Sequence, residues 1–288
     1  MKWFDYVAPR SLGEAFQHLA SHPGARFLAG GTDLLVQMRA GRKETDLVID
    51  LKHIPELMEL RDSPEGLTLG AAVPCCAIYG DSGISRAYPA LAEVANLIGG
   101  TQIQSRASIG GNLANAAPSA DSIPLLIALG AVCRIASAAG ERTMPAEEFC
   151  TAPGVNALRS GELLVSLHIP KPGPRSAAQY LRFIPRNEMD IAVAGAGVSL
   201  VLDNGTIRSA RVALSSVAPT PLFVKAAGDA LAGRPAAKES LGTAAELARE
   251  AARPITDMRG TPDYRRHLCA VLTRRALEAA LAKAKENN

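Results

Sequence analysis

Two glycine-rich segments constrain this chain more than any other feature of its sequence. The first lies in RFLAGGTDLLVQMRAG, residues 26–41, where the motif LAGGTDLL at residues 28–35 is called the first glycine segment. The second glycine segment is ASIGGNLANAAPSAD, residues 107–121. In each, a Gly-Gly pair follows an apolar run that predicts a strand. Paired glycines let the backbone approach a ligand closely, and their successive N–H groups can converge on an anion. Two such segments predict a long ligand with a diphosphate in its middle, such as a dinucleotide.

The composition is that of a globular protein with room for more than one domain. The chain has 288 residues, of which 48% are hydrophobic and 20% are charged, so it can bury a sizeable core. Its formal net charge is only +3, which argues against nucleic acid or an anionic membrane as a partner. The longest apolar run, residues 191–202, is too short to cross a bilayer, and the N-terminus lacks a signal-peptide pattern. We therefore predict a cytoplasmic protein.

The cysteines and histidines show no spacing that is typical of a metal site. The sequence contains no CxxC pair and its five histidines are scattered, so neither a zinc site nor an iron–sulfur cluster is predicted in this chain. We interpret the five cysteines as small buried residues in a reducing compartment. The adjacent Cys75 and Cys76 leave a redox-sensitive pair open as an alternative.

Around the first glycine segment the pattern predicts a βαβ unit. Ser11 and Glu14 give a capping-box pattern at the start of a helix over residues 11–22. A strand, a helix and a second strand follow, over residues 26–29, 33–40 and 47–51. Later strands are predicted at 67–71, 131–135 and 161–170, and helices at 75–79, 89–98 and 123–130. The second glycine segment is predicted as a binding loop, because a polar loop of that length inside a domain is uncommon without a function.

After a proline-rich linker at residues 170–174 the pattern changes. Three antiparallel strands are predicted, with Asp203, Asn204 and Gly205 as a hairpin turn, followed by two helices. The strands are expected at 177–183, 191–202 and 207–214, and the helices at 238–252 and 262–285. Strands before helices favour an α+β domain with its helices on one face of the sheet. We therefore divide the chain into residues 1–174, with parts at about 1–55 and 56–174, and residues 175–288.

A second glycine pattern, Gly195 and Gly197, lies inside a predicted strand. It lacks the third glycine of the dinucleotide-binding fingerprint, which occurs nowhere in this sequence. Glycines within strands commonly mark close packing, and that is the role predicted here.

Taken together, the motifs resemble the FAD-binding medium subunit of molybdenum hydroxylases, the xanthine dehydrogenase and carbon monoxide dehydrogenase family. The resemblance runs through LAGGTDLL, TQIQSRASIGGNLANAAPSAD, GELLVSLHIP and RNEMDIA, and extends to DYRRHLCAVLTRRAL near the C-terminus. It covers almost the whole chain. It implies an α+β fold with a two-part FAD-binding domain of the vanillyl-alcohol-oxidase (PCMH) type, followed by a small C-terminal domain.

The resemblance also implies which residues bind FAD. They are Phe27, Leu28, Ala29, Gly30, Gly31, Thr32, Asp33, Ile98, Ala107, Ser108, Gly110, Gly111, Asn112, Asn115, Asp121, Leu164 and Arg182. Arg182 stands where relatives often have a lysine near the isoalloxazine ring, and a cation there would stabilise reduced flavin. Ala120 stands where a serine is common, so one polar contact is missing. No residue of the chain is expected to act as an acid, a base or a metal ligand.

By the same resemblance, the protein would work with two partners. A large subunit would hold a molybdopterin cofactor and hydroxylate the substrate, and a small subunit with two [2Fe–2S] clusters would pass the electrons to FAD. FAD would then reduce NAD⁺ or another acceptor, in a dimer of heterotrimers. Two alternatives remain open: a stand-alone FAD-dependent oxidase of the vanillyl-alcohol-oxidase type, and a non-catalytic nucleotide-binding or assembly protein.

Overall fold

The computed structural model describes residues 1–187 and 189–287. Glu188 of the RNEMDIA motif and the terminal Asn288 lie outside the described residues. The N-terminal part consists of β1 (Asp5–Val7), α1 (Leu12–Ser21), β2 (Arg26–Leu28), α2 (Leu34–Arg39) and β3 (Leu47–Asp50). The three strands form a parallel sheet in the order β1-β3-β2, which confirms the predicted βαβ unit and makes β2 an edge strand.

The capping pattern at Ser11 is largely confirmed. The Ser11 hydroxyl accepts a hydrogen bond from the Glu14 N–H at 3.2 Å. The Glu14 carboxylate in turn accepts from the N–H of Arg10 at 2.7 Å, one residue earlier than a standard capping box has it.

The middle of the chain forms a second, antiparallel sheet covered by helices. Its strands are ordered β4-β5-β10-β6-β7, and β8 and β9 form a separate hairpin. The elements are β4 (Leu60–Ser63), β5 (Gly66–Gly70), α3 (Cys75–Gly80), α4 (Ser82–Ala87), α5 (Pro89–Ala95), α6 (Thr101–Gln104), α7 (Ile109–Asn115), α8 (Ser122–Ala128), β6 (Val132–Ser137), β7 (Gly140–Pro145), β8 (Cys150–Ala152), β9 (Val155–Asn156) and β10 (Leu163–Pro170). One hydrophobic core joins this sheet, its helices and the N-terminal sheet.

The second glycine segment differs from its prediction as a loop preceded by a strand. It follows α6, and its glycine pair lies in the first turn of α7, which Ser108 caps by accepting a hydrogen bond from the Gly111 N–H at 3.0 Å. Glycine is a poor helix former, yet a Cβ on Gly110 would lie 2.5 Å from the Cα of Ala71. Close packing of α7 on the chain after β5 therefore explains why glycine occurs inside a helix.

The C-terminal part is an antiparallel sheet with helices on one face, as predicted. Its strands follow the order β11-β12-β13-β14, and positive φ angles at Asn204 (45°) and Gly205 (85°) confirm the hairpin turn. The elements are β11 (Ser176–Phe183), β12 (Ala194–Asp203), β13 (Thr206–Ser215), β14 (Leu222–Phe223), α9 (Lys225–Leu231), α10 (Lys238–Ala251) and α11 (Pro262–Glu286). The α+β class and the two-part arrangement are confirmed, and the boundaries at residues 55 and 174 stay predictions.

Helix α8 joins the two parts of the chain. All seven of its residues are buried, and a Cβ on Gly197 of β12 would lie 2.5 Å from the Pro124 carbonyl carbon, so the predicted close packing of this glycine is confirmed. The carbonyl groups at the end of α8 accept hydrogen bonds from the C-terminal sheet. The Ala128 carbonyl accepts from the Ser199 hydroxyl at 2.6 Å, and the Ile127 carbonyl accepts from Arg211 Nε at 2.9 Å. The C-terminal sheet thus caps a helix of the preceding part.

Within the part of the chain that the structure describes, no helix combines the length and the apolar character that a membrane span requires.

Candidate cofactor-binding site

A cleft that is open to solvent, with a volume of about 1030 Å³ including its open mouth, follows the edge strand β2 and is lined on its other side by the second glycine segment. Most of the predicted FAD-binding residues line it. They are Phe27, Ala29, Gly30, Gly31, Thr32, Asp33, Ile98, Ala107, Ser108, Gly110, Gly111, Asn112, Asn115 and Leu164. Residues about eighty positions apart in the sequence therefore face one cleft.

The two glycine segments touch at Gly30. A Cβ on Gly30 would lie 1.9 Å from the Arg106 carbonyl oxygen and 2.9 Å from the Ala107 nitrogen. Gly31 has a φ of +76°, which favours glycine. The Lys52 ammonium connects the first glycine segment to β3, because it donates to the Ala29 carbonyl at 2.9 Å and to the Asp50 carboxylate at 2.6 Å.

The first glycine segment offers unused backbone donors to the cleft. Among the described residues, the N–H groups of Gly30, Gly31, Thr32 and Asp33 donate no hydrogen bond to the protein. Backbone N–H groups need a partner, and consecutive ones in such a turn form a concave site for an anion. These donors therefore fit the diphosphate of a dinucleotide.

Side-chain amides connect the two walls of the cleft. Gln37 Nε2 donates to the Asn115 side-chain oxygen at 3.0 Å, which ties α2 to the end of α7. The Asn112 side-chain oxygen accepts from the Ser122 hydroxyl at 2.6 Å. Both contacts use only the oxygen of the asparagine, so each NH₂ group remains a donor for a ligand.

The charged residues of the cleft leave an excess of positive charge. Arg26 and Lys43 line it together with one acid, Asp33. Asp33 keeps contact with solvent, but the concave wall around its carboxyl desolvates it and raises its pKa, an effect that Lys43 opposes. Desolvation, followed by repulsion from Arg26, lowers the pKa of Lys43. An anionic ligand would relieve both costs of the lysine charge.

Several residues that line the cleft were not predicted to bind FAD. They are Arg26, Leu34, Gln37, Lys43, Leu51, Ala71, Ala114, Leu158 and Leu163. Arg26 and Leu34 directly flank the predicted stretch 27–33, so their position was a usable signal. The others belong to ordinary helix, strand or loop patterns, and the fold alone brings them to the cleft.

Three predicted FAD-binding residues do not line this cleft: Leu28, Asp121 and Arg182. Leu28 packs with Met38 and Val48 beneath α2, because alternate residues of a strand face opposite sides.

Asp121 and Arg182 are engaged with each other instead. The Arg182 guanidinium donates to the Asp121 carboxylate at 2.5 Å, and their side chains are only 9% and 12% exposed. The Tyr180 hydroxyl donates to the same carboxylate at 2.8 Å. Desolvation raises the pKa of Asp121 against the opposing effect of Arg182, and burial raises the pKa of Tyr180. This buried ion pair joins the start of α8 to β11, and the contact of either residue with FAD stays a prediction.

The glutamate of the GELL motif has a structural partner. Glu162 accepts two hydrogen bonds from the Arg142 guanidinium on β7, both at 2.7 Å, and one from the Arg159 N–H at 2.7 Å. This geometry fixes the start of β10 and with it Leu163 and Leu164 at the cleft.

Hydrogen bonds from Arg142 lower the pKa of Glu162 to about 2, which predicts a pH-dependent stability. A carboxylate whose pKa is lower in the folded chain than in the unfolded chain stabilises the fold at any pH above its unfolded pKa, which is about 4.3 for glutamate. This stabilisation is lost as the pH falls from there through the folded pKa. We therefore expect Glu162→Gln to melt several degrees below the parent protein at pH 7. Melting curves between pH 7 and pH 2 should show this difference shrinking from about pH 4.5 downwards. A difference independent of pH would contradict the assignment.

Three of the five cysteines, Cys75, Cys133 and Cys269, are buried as predicted, whereas Cys76 and Cys150 are only half-buried. All five cysteines are free, and desolvation raises the pKa of Cys75, Cys133 and Cys269 to about 12. Thiols of such high pKa are poor nucleophiles. The described residues contain no group of three or more His, Cys, Asp or Glu side chains that could hold a metal ion.

Comparison with known proteins identifies the family. Residues 2–172 match the FAD binding domain in molybdopterin dehydrogenase, and residues 179–280 match the CO dehydrogenase flavoprotein C-terminal domain. The chain is 33% identical to the carbon monoxide dehydrogenase medium chain of Afipia carboxidovorans, over 98% of both chains. It is 31% identical to the xanthine dehydrogenase FAD-binding subunit of Escherichia coli O157:H7, over 97% of this chain and 96% of the relative.

Solved structures agree with the sequence matches. Carbon monoxide dehydrogenase from Hydrogenophaga pseudoflava superimposes with a TM-score of 0.94 at 33% identity, over 98% of both chains. Quinoline 2-oxidoreductase from Pseudomonas putida 86 gives a TM-score of 0.91 at 32% identity, over 99% of both chains. The chain therefore belongs to the family of FAD-binding medium subunits of molybdenum hydroxylase-type dehydrogenases.

Proposed function

We propose that this chain is the electron-transfer subunit of a heteromeric molybdenum hydroxylase, carrying FAD between the [2Fe–2S] clusters of one partner and NAD⁺ or another acceptor. The observation that carries the proposal is the meeting of two distant glycine segments at a single cleft, where four backbone N–H groups have no protein partner among the described residues. The full-length relatedness to dehydrogenase medium subunits supports it.

The chain's own residues would bind and orient the cofactor. The N–H groups of residues 30–33 would hold the diphosphate, and Asn112 and Asn115 would offer their NH₂ groups to the flavin half. Ile98, Leu163 and Leu164 supply apolar surface suited to an aromatic ring. When bound, FAD supplies the redox chemistry that side chains lack, so the contribution of the protein is position and charge.

The partners are proposed by analogy with the relatives. A large subunit would hold the molybdopterin cofactor, a small subunit would hold two [2Fe–2S] clusters, and the assembly would be a dimer of heterotrimers in the cytoplasm. Carbon monoxide, xanthine and caffeine dehydrogenases all have medium, FAD-binding or beta subunits similar to this chain. The hydroxylated substrate would bind in the large subunit.

Affinity purification of the chain from its native cells tests this function. We expect a yellow protein that releases FAD in acid, together with two further polypeptides, molybdenum and iron detected by mass spectrometry and metal analysis. In the purified assembly, NADH or another reduced acceptor should bleach the flavin under anaerobic conditions. Oxidation of a substrate by the isolated chain with oxygen would instead support a stand-alone oxidase, and a colourless chain without flavin would support a non-catalytic protein.

A further inference from the structure

A groove that is open to solvent runs between α10 and α11, with a volume of about 690 Å³ including its open mouth. Each helix contributes residues at the spacing i, i+3, i+4 and i+7, which places them on one face of that helix. They are Gly242, Ala245, Glu246 and Arg249 of α10, and His267, Ala270, Val271 and Arg274 of α11. None of them lines the cofactor cleft, so the groove is a separate feature of the surface.

Small side chains form the floor of the groove. Ala245 is buried, and Gly242, Ala270 and Val271 are half-buried, whereas the longer side chains of the lining are exposed. Packed helices fit the side chains of one into the grooves of the other, and small side chains at the contact let the helix axes come close. The floor therefore suits the close approach of a third helix.

The packing of this chain does not explain why a glycine occurs at position 242. Glycine is a poor helix former, and Gly242 lies inside α10 rather than at its end. A Cβ on Gly242 would meet no other part of the chain within 4 Å, whereas a Cβ on Gly228 of α9 would lie 2.3 Å from the Ala210 carbonyl oxygen. Close packing within the chain thus accounts for Gly228 but not for Gly242. A second polypeptide in the groove would account for Gly242, because a side chain there would occupy its space.

The rim of the groove is basic. Arg274 forms no ion pair among the residues that the structure describes, and Arg249 pairs only with Glu246, at 2.9 Å. Glu246 is the one acid among the described lining residues, and His267 adds an imidazole that can donate a hydrogen bond. Because Glu246 is already matched by Arg249, the charge of Arg274 remains uncompensated. The groove is therefore complementary to a negatively charged partner.

We propose that this groove binds an acidic amphipathic helix of one of the two partner subunits. The inference rests on the proposed function, which places other subunits around this chain. A helix lying between α10 and α11 would set its apolar face against Ala245, Ala270 and Val271. Its carboxylates would accept hydrogen bonds from Arg274 and His267 at the rim.

Photo-cross-linking of the assembly identifies the occupant of the groove. The tagged chain, with p-benzoylphenylalanine in place of His267, is purified from its native cells together with its partners, irradiated and digested. We expect a cross-linked peptide of a partner subunit in which Asp or Glu residues flank apolar residues at the spacing of one helix face. The control carries the same group in place of Ala139, which is exposed between β6 and β7, and should not cross-link to this peptide.

Two variants of the assembly test the two features of the groove. Arg274→Glu reverses the rim charge, and Gly242→Leu fills the floor. We expect each assembly to dissociate on dilution at a concentration about tenfold higher than the parent, the effect of losing one charge-assisted contact or its equivalent. Added salt should weaken the parent assembly more than Arg274→Glu.

Controls separate these effects from misfolding. The matched control is Arg275→Glu, the same reversal at an exposed neighbouring position outside the groove lining, which should dissociate like the parent. Flavin content should be unchanged in every variant. The full-length Gly242→Leu chain should melt no lower than the parent chain, because leucine is the better helix former.

Three results would overturn the inference and leave the proposed function standing. They are an intact assembly whose position 267 cross-links to no acidic partner helix, whether to nothing, to another segment or to a second copy of this chain; unchanged dissociation of both variants; and an equal effect of Arg275→Glu. A parent chain that purifies without any partner subunit would overturn the proposed function and the inference with it.

Discussion

Replacing Gly30 with alanine will remove FAD from this protein. The added methyl group would lie 1.9 Å from the Arg106 carbonyl oxygen and 2.4 Å from its carbon, far inside van der Waals contact. Both obstacles are backbone atoms, so no side-chain rotation can relieve the clash. Because the relaxation must separate the two glycine segments, we expect near-complete loss of flavin and a loss of about 1–3 kcal/mol in the free energy of unfolding.

Flavin absorbance per chain and urea unfolding of the purified variant measure these two effects. Gly24→Ala is the matched control, because a Cβ there meets no atom within 4 Å, and it should keep both flavin and stability. Full flavin content in Gly30→Ala would show that the two segments do not jointly bind the cofactor.

Removal of the Arg182 guanidinium should have the largest effect on stability. Arg182→Met leaves the Asp121 carboxylate buried beside Tyr180 without its cation, and breaking a buried ion pair on one side costs about 3–5 kcal/mol. Adding Asp121→Leu in the double variant should restore much of this loss, since no uncompensated charge then remains. Urea unfolding of the two single variants and the double variant measures the coupling.

An exposed ion pair provides the comparison with the buried Asp121–Arg182 pair. Arg134 and Glu141 are joined at 2.6 Å on neighbouring strands, with side chains 37% and 48% exposed. Arg134→Met should therefore cost about 0–1 kcal/mol. Equal losses in the two arginine variants would mean that burial of the Asp121–Arg182 pair does not matter. The reduction potential of the bound flavin in Arg182→Met separately tests the role near the ring that the family resemblance implies.

Local patterns made much of the fold predictable from the sequence. The βαβ unit follows from strand and helix periodicity, and Asn204–Gly205 favours the turn that the C-terminal hairpin has. The helix α7 could not be predicted, because its glycines are explained by contact with Ala71 in a distant part of the chain. Short elements such as β8, β9 and α9 were also missed, since they carry too few residues for a periodic signal.

Site residues that are neighbours in the sequence could be predicted, whereas residues that the fold brings together from separate segments could not. Residues 27–33 and the second glycine segment could be identified because each carries its own motif. Gln37 and Lys43 were missed because nothing in their neighbourhood distinguishes them from surface residues. Asp121 and Arg182 could not be recognised as partners, since they are 61 positions apart in the sequence and each alone has the chemistry of a ligand-binding group.

Helix α8 limits which fragments of this chain can fold on their own. A helix that is buried on every side is stable only when other elements cover it completely. Here the C-terminal sheet provides part of that cover, including the hydrogen bonds to Ile127 and Ala128. A fragment ending near residue 174 would expose apolar side chains of α8 and leave the Ile127 and Ala128 carbonyl groups without these hydrogen bonds. We therefore expect FAD to bind only after nearly the entire polypeptide has been made, even though every residue of the cleft belongs to its first 164 positions.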